Sequence, residues 1–230
     1  MTGGPTDSHT DRHHPAWLQI AGLVSVAVLL VAIGVVAGSV WSPGSRDDVT
    51  TMSATDIGFA QDMSAHHDQA LLMARTILAA PDVDPTIRGL ADQLVVAQSA
   101  ESATMRGWLQ FFGLPLTSDS PESWMPHDDL RTHGHPSAAT PGTPPMPGMA
   151  STDELGRLAT LRGDEAEKLF LQLMIRHHRG GLDMAQGAYN DDRSGPATKQ
   201  LALNMLGDQG NEIGQMSMLL KERGAEPLPT

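Results

Sequence analysis

The stretch FAQDMSAHHDQALLMA, Phe59 to Ala74, sets two adjacent histidines between methionines on what reads as an amphipathic helix, and FLQLMIRHHRGGLDMA, Phe170 to Ala185, repeats the arrangement. A shift of 111 positions carries His66 onto His177. Without a gap it also pairs Phe59 with Phe170, Gln61 with Gln172, Met63 with Met174, His67 with His178, Leu71 with Leu182, Met73 with Met184 and Ala74 with Ala185. Farther along, the same shift pairs Gln98 with Gln209, Glu101 with Glu212, Met105 with Met216 and Gly113 with Gly224, and upstream it sets Asp56 on Glu167. The repeated unit is therefore longer than the His-His motif. It is a helical hairpin, duplicated.

Within the first hairpin, Phe59, Met63, His66, Ala70, Met73 and Ile77 recur at three- and four-residue spacing, which predicts a helix from Met52 to Leu78. Asp84-Pro85 reads as an N-cap with proline at the first helical position, opening a second helix that runs to about Phe112 and stops at Gly113. In the second hairpin, Ser151-Thr152-Asp153-Glu154 resembles a capping box at the start of a short helix ending near Leu161. A long helix from Asp164 to about Tyr189 follows, and Ser194-Gly195-Pro196 restarts the chain in a last helix ending near Arg223. Two hairpins with one apolar stripe each bury those stripes most simply against one another, so the expected fold is all-α, a four-helix bundle with hairpins at 52–113 and 152–224. The connection, 114–151, is rich in proline, glycine and serine and carries His127, His133, His135, Met146 and Met149. Such a composition buries little apolar area and reads as flexible.

Ahead of the bundle, Leu18 to Val40 has no charged residue and lies between Trp17 and Trp41, long enough to span a bilayer with aromatic residues at both interfaces. We read 1–16 as a polar tail and 17–41 as a single membrane-spanning helix or signal anchor. The competing reading is a cleaved secretory signal, since Ala37 and Ser39 have the small-residue spacing a signal peptidase recognises. Either way the main domain is expected outside the cytoplasm, anchored to the cell membrane or secreted.

Composition narrows the chemistry. With 15 basic against 27 acidic residues the formal charge is −12, which opposes a phosphate backbone and excludes nucleic acid as a general partner. There is no cysteine, so thiolate nucleophiles, disulfides and iron–sulfur sites are excluded, and any soft ligand has to be methionine, of which there are 13. No Gly-rich phosphate loop and no Gly-x-Ser-x-Gly elbow occurs, and we expect no enzymatic activity.

The double Met-x-x-His-His motif, the Gln-x-x-Glu-x-x-x-Met of each second helix and the segment LRGDEAEKLFLQLMIRHHRGGLDMAQ resemble the family catalogued as domain of unknown function 305, over roughly Ser53 to Gly224. The chain departs from that family's pattern at Ala166-Glu167 and at Gly181. The resemblance implies a ferritin-like four-helix bundle, exported or membrane-anchored, in a family that includes copper-binding periplasmic proteins.

From the residues themselves, imidazole and thioether without thiolate suit Cu(I), and imidazole with carboxylate can also hold Cu(II). The candidate metal ligands are His66, His67, Met63, Met73, Glu101 and Met105 with their repeat mates His177, His178, Met174, Met184, Glu212 and Met216. Glu101 and Glu212 are either ligands or orient an imidazole. Adjacent helical residues point about 100° apart, so His66 and His177 are expected to face the interior and His67 and His178 to sit at its boundary. The metal ion and, through 17–41, the membrane are the expected partners. A ferritin-type di-iron site is disfavoured because neither Glu101 nor Glu212 is followed by His three residues later. The competing reading makes these residues part of a cell-envelope structural or interaction module, in which His–Glu pairs merely satisfy polar groups in a core.

Overall fold

In the computed structural model, which describes residues 51–125 and 146–229, five helices form and every described segment between them is turn or coil. Helix α1 spans Ala54–Ala79, α2 Pro85–Phe111, α3 Thr152–Thr160, α4 Gly163–Asn190 and α5 Pro196–Glu222. The starts follow local chemistry. Ser53 and Asp56 make a reciprocal capping box on α1, as Ser151 and Glu154 do on α3, while Pro85 and Pro196 open α2 and α5 at positions that need no amide proton. The ends of α2 and α5 match as well: Gly113 and Gly224 both have φ 66°, and the Leu114 and Ala225 amides turn back to Leu109 and Leu220. These pairs stand 111 residues apart, so the duplication extends to the caps.

Helix α1 packs on α2, α4 packs on α5, and the two hairpins meet through α1 and α4, with α3 lying against both. The hairpins also exchange caps. Asp56 of α1 accepts the Gly195 amide at the start of α5 (2.9 Å), and Glu167 of α4 accepts the Asp84 amide at the start of α2 (2.7 Å). Because the 111-residue shift turns each pair into the other with hairpins interchanged, the hairpins are related by an approximate twofold axis between α1 and α4. Glu167 is 4% exposed and also binds Arg223 at 2.5 Å.

The core divides into two clusters. One gathers Met73, Met174 and Met216 with mostly Leu and Ile, the other Met63, Met105 and Met184 with Phe59, Trp124 and further methionines. Each trio takes two methionines from one hairpin and one from the other, again as the twofold requires.

The connection between the hairpins differs from the expected flexible segment at Trp124 and Met125 and at 146–150. Trp124, Met125, Met146 and Ala150 are buried. Trp124 packs edge-on against Phe59 (5.6 Å between centroids), and its indole N–H and the Glu122 amide both donate to Asp62 Oδ2 (2.8 and 2.7 Å). Large apolar side chains at both ends of the segment anchor it despite its proline content. His127, His133 and His135 lie outside the described residues. So does the 17–41 segment. Among the described residues no helix is long and apolar enough to cross a membrane.

Candidate metal centre

The four motif histidines form a row across the middle of the bundle. His66 and His177, one from each hairpin, lie with ring centroids 3.7 Å apart and planes inclined by 33°, close to the twofold. His67 lies 6.5 Å from His66 and His178 6.2 Å from His177, extending the row on both sides. At its ends His67 Nε2 binds Glu101 (2.7 Å) and His178 Nε2 binds Glu212 (2.8 Å), and both carboxylates keep about a fifth of their side-chain surface exposed, 18% and 20%.

All four imidazoles are buried, none of the four more than 1% exposed. The expectation that His67 and His178 mark the boundary is corrected accordingly. Helix α1 packs against α4 on one side and α2 on another, so it has two buried faces about 100° apart, and the adjacent histidines occupy one each. The boundary falls instead at Glu101 and Glu212, which orient the outer imidazoles through their hydrogen bonds.

Oxygen acceptors fix the tautomers. His66 Nε2 lies 3.0 Å from the Pro147 carbonyl, His177 Nε2 3.0 Å from the His66 carbonyl, and the outer two face carboxylates. A carbonyl or carboxylate oxygen only accepts, so each Nε2 carries a proton, and in a neutral ring that leaves Nδ1 with a lone pair. The Nδ1 atoms of His66, His67 and His178 are buried without a hydrogen-bond partner. An unsatisfied buried acceptor costs about 1–3 kcal/mol, so three in one row are a signal. Burial, with the neighbouring His67 as the next cause, pushes His66 down to about 3, and burial followed by His66 pushes His177 well below the usual imidazole range. The central rings are thus neutral at physiological pH, the state in which imidazole binds a metal.

Within the row the symmetry breaks at His66. His177 reaches the His66 carbonyl directly, whereas His66 bonds to Pro147 in a strap, residues 146–150, that has no described counterpart on the other hairpin. The strap rests backbone to backbone on α4: a Cβ on Gly180 would lie 2.0 Å from the Pro147 oxygen, and one on Gly148, whose φ is 71°, would lie 2.3 Å from the Arg176 oxygen. Gln69 holds Ala150 by both its amide oxygen (2.6 Å) and its amide nitrogen (2.9 Å).

The candidate thioethers Met63, Met73, Met105, Met174, Met184 and Met216 are all fully buried, one trio in each core cluster. Among the described residues no three His, Cys, Asp or Glu side chains converge as a metal-ligand group, and neither carboxylate joins the Nδ1 side of the row. The donors available are therefore imidazole nitrogens and thioethers. Gln98 and Gln209, repeat mates that sequence reasoning placed in the unit but not in the site, are 2% exposed, each with one amide atom lacking a partner. Gly181 makes room for Gln209, since a Cβ there would stand 2.4 Å from its Oε1. Asp62 was missed altogether: its repeat mate is Leu173, so the duplication carries no trace of it.

With this geometry in hand, comparison with known proteins is decisive on family. The model of a domain of unknown function, DUF305, matches residues 56–220. The chain belongs to the DUF305 family. A crystal structure of a DUF305 protein from Streptomyces coelicolor, named as a secreted protein, is 38% identical with a TM-score of 0.65, covering 76% of this chain and 96% of that one. A DUF305 fragment from Deinococcus radiodurans is 28% identical with a TM-score of 0.58, covering 74% of this chain and 98% of its own. CopM, solved in a Cu(I)-bound form, is 25% identical with a TM-score of 0.51 over 73% of this chain and 96% of CopM. None of the curated proteins compared matches this DUF305 chain.

Proposed function

We propose that this chain is an extracytoplasmic copper-binding protein, held at the membrane by residues 17–41, that serves copper buffering or tolerance without turnover, and that copper binds at the histidine row. One observation carries the reading: every motif imidazole donates through Nε2 to an oxygen, and the buried Nδ1 atoms of His66, His67 and His178 have no partner. A metal cation is the ligand that uses such atoms. Hydrogen bonds from the outer imidazoles to Glu101 and Glu212 match the way a carboxylate raises the basicity of a metal-ligating histidine. The buried thioethers on either side add soft donors that favour Cu(I), and Cu(II) is the second candidate through the imidazoles. The Cu(I)-bound form of CopM supports the choice of metal, and the Streptomyces relative named as secreted supports the compartment.

A structural reading has its own observation, since every Nε2 already has an acceptor and the His–Glu pairs tie each hairpin together. Competition titrations of the full chain in detergent, with Cu(I) under anaerobic conditions and with Cu(II), separate the two. Replacing His67 and His178 by Asn keeps a donor for each glutamate and removes the outer lone pairs. Affinity for copper is expected to fall by about 100-fold or more, on the order of 3 kcal/mol at the site. An unchanged affinity in the folded variant rejects copper binding at the row and leaves the histidines a structural role.

A further inference from the structure

The two halves of this duplicated fold are built alike and filled differently. Around Met73, Met174 and Met216 the buried cluster is largely aliphatic, with seven leucines and three isoleucines beside Phe170. Around their mates Met184, Met63 and Met105 it contains one leucine, Leu109, and three more methionines: Met125, Met146 and Met205. The duplication supplies an internal control. At Met205 the repeat mate is Leu94, which is 1% exposed in the aliphatic half, so leucine fills the same place in the same fold and shape alone does not call for sulfur. Met125 and Met146 reach this cluster from the two ends of the connection, where they are 4% and 7% exposed. Met125 has its methyl group against α4, within 3.3 Å of where a Cβ on Gly187 would stand, and Met146 adjoins Pro147, the residue bonded to His66.

Six buried thioethers thus gather in one of the two core clusters of a chain that has no cysteine. The apolar members beside them are Phe59, Leu109, Trp124 and alanines, with Asp62 engaged by the Trp124 indole and the Glu122 amide. Thioether sulfur is a soft, neutral donor that selects Cu(I) over divalent and hard cations. Unlike imidazole it does not compete with protons near neutral pH.

We propose that Met125, Met146 and Met205, together with the thioethers they join, form a second metal site that takes a soft monovalent cation, Cu(I), through sulfur alone and separately from the histidine row. The proposal rests on the reading that this chain handles copper. Met125, Met146 and Met205 are not among the donors assigned to the row, so either site can fail by itself.

The test uses the full chain carrying Met125→Leu, Met146→Leu and Met205→Leu. Leucine conserves volume closely enough that metal-free unfolding should change little. Anaerobic competition with a Cu(I) chelator is expected to show one fewer Cu(I) per chain, or at least a tenfold loss at the weaker step, while Cu(II) binding stays unchanged. An unaltered Cu(I) count and affinity overturns the proposal. Loss of Cu(I) here with no effect of His67→Asn and His178→Asn would reject the histidine row and leave the sulfur site standing. Should the triple variant not fold, methionine methyl spectra of the native chain decide. Silver(I), a redox-inert soft probe, is expected to move the Met125, Met146 and Met205 signals, and their staying fixed while saturating silver binds elsewhere overturns it.

Discussion

Glu167→Ala is expected to lower the unfolding free energy by about 3–5 kcal/mol, because it strips the partner from a buried cation and unties the two hairpins at once. Glu167 reaches across from α4 to accept the Asp84 amide that opens α2, and its other oxygen binds Arg223 beyond α5. Both side chains of the ion pair are largely buried, 6% exposed for Glu167 and 13% for Arg223. Removing the carboxylate leaves the cap amide without its acceptor and the guanidinium without a counter-charge, held only by the Leu219 carbonyl at 3.1 Å. A nearby control uses the same helix. Lys168 pairs with Asp164, which is 60% exposed, and Lys168→Ala is expected to cost less than about 1 kcal/mol. Urea unfolding followed by far-UV circular dichroism checks both. A loss below about 1 kcal/mol for Glu167→Ala would show that the exchanged caps do not hold the hairpins together.

Acid should unfold the metal-free bundle well before the carboxylates are exhausted. His66 and His177 have folded-state values below the ordinary 6.5, mainly through burial, so below that pH the unfolded chain takes up protons that the folded chain refuses. Stability contributed by a neutral buried imidazole is complete above 6.5 and declines as the pH falls toward the folded value, about 3 for His66. Each histidine removes about 1.4 kcal/mol per pH unit in that window, so the pair removes roughly 2.7. Glu122 works in the opposite direction. Burial and then Asp62 raise it to about 7 from 4.5, so its cost is relieved as pH falls between those values and the net loss steepens below about pH 4.5. Asp191, lowered to about 2 chiefly by its hydrogen bonds from Arg193, adds to the loss only below 3.8. Denaturant unfolding at about pH 7, 6, 5 and 4 should therefore show falling stability, with His66→Gln and His177→Gln flattening the slope. A native profile that stays level from pH 7 to 4 would mean the central rings are not buried as neutral imidazoles.

The fold was legible because duplication writes itself twice. Helix starts at Ser53, Asp84 and Ser151 and the stops at Gly113 and Gly224 each have a local chemical signature, and a gapless shift of 111 residues tied the hairpins together. That His66, His67 and Glu101 have repeat mates was legible in the repeat, but the arrangement of these residues was not. The sequence suggests one apolar stripe per hairpin, whereas α1 and α4 are the inner helices and bury two faces, which is why His67 and His178 are as enclosed as His66 and His177. The Pro147 carbonyl that fixes His66 is a backbone atom, and no side-chain pattern reports it. Its position depends on Gly148 and Gly180 lacking a Cβ, which reads in sequence as ordinary loop and helix glycine. Asp62, whose repeat mate is Leu173, and Trp124, in the connection, anchor that segment but match nothing in the repeat and so left no signal.

The central claim is that the Nδ1 lone pairs of the row receive the metal, and nitrogen-15 spectra of the histidine side chains test it most directly. In the metal-free chain all four motif imidazoles are predicted to show a protonated Nε2 and an unprotonated Nδ1. Addition of Cu(I) or the redox-inert Ag(I) should then move the Nδ1 signals of His66, His67 and His178 while each Nε2 keeps its proton. Saturating metal that leaves those three Nδ1 signals unmoved, or a metal-free spectrum with the proton on Nδ1, would contradict it.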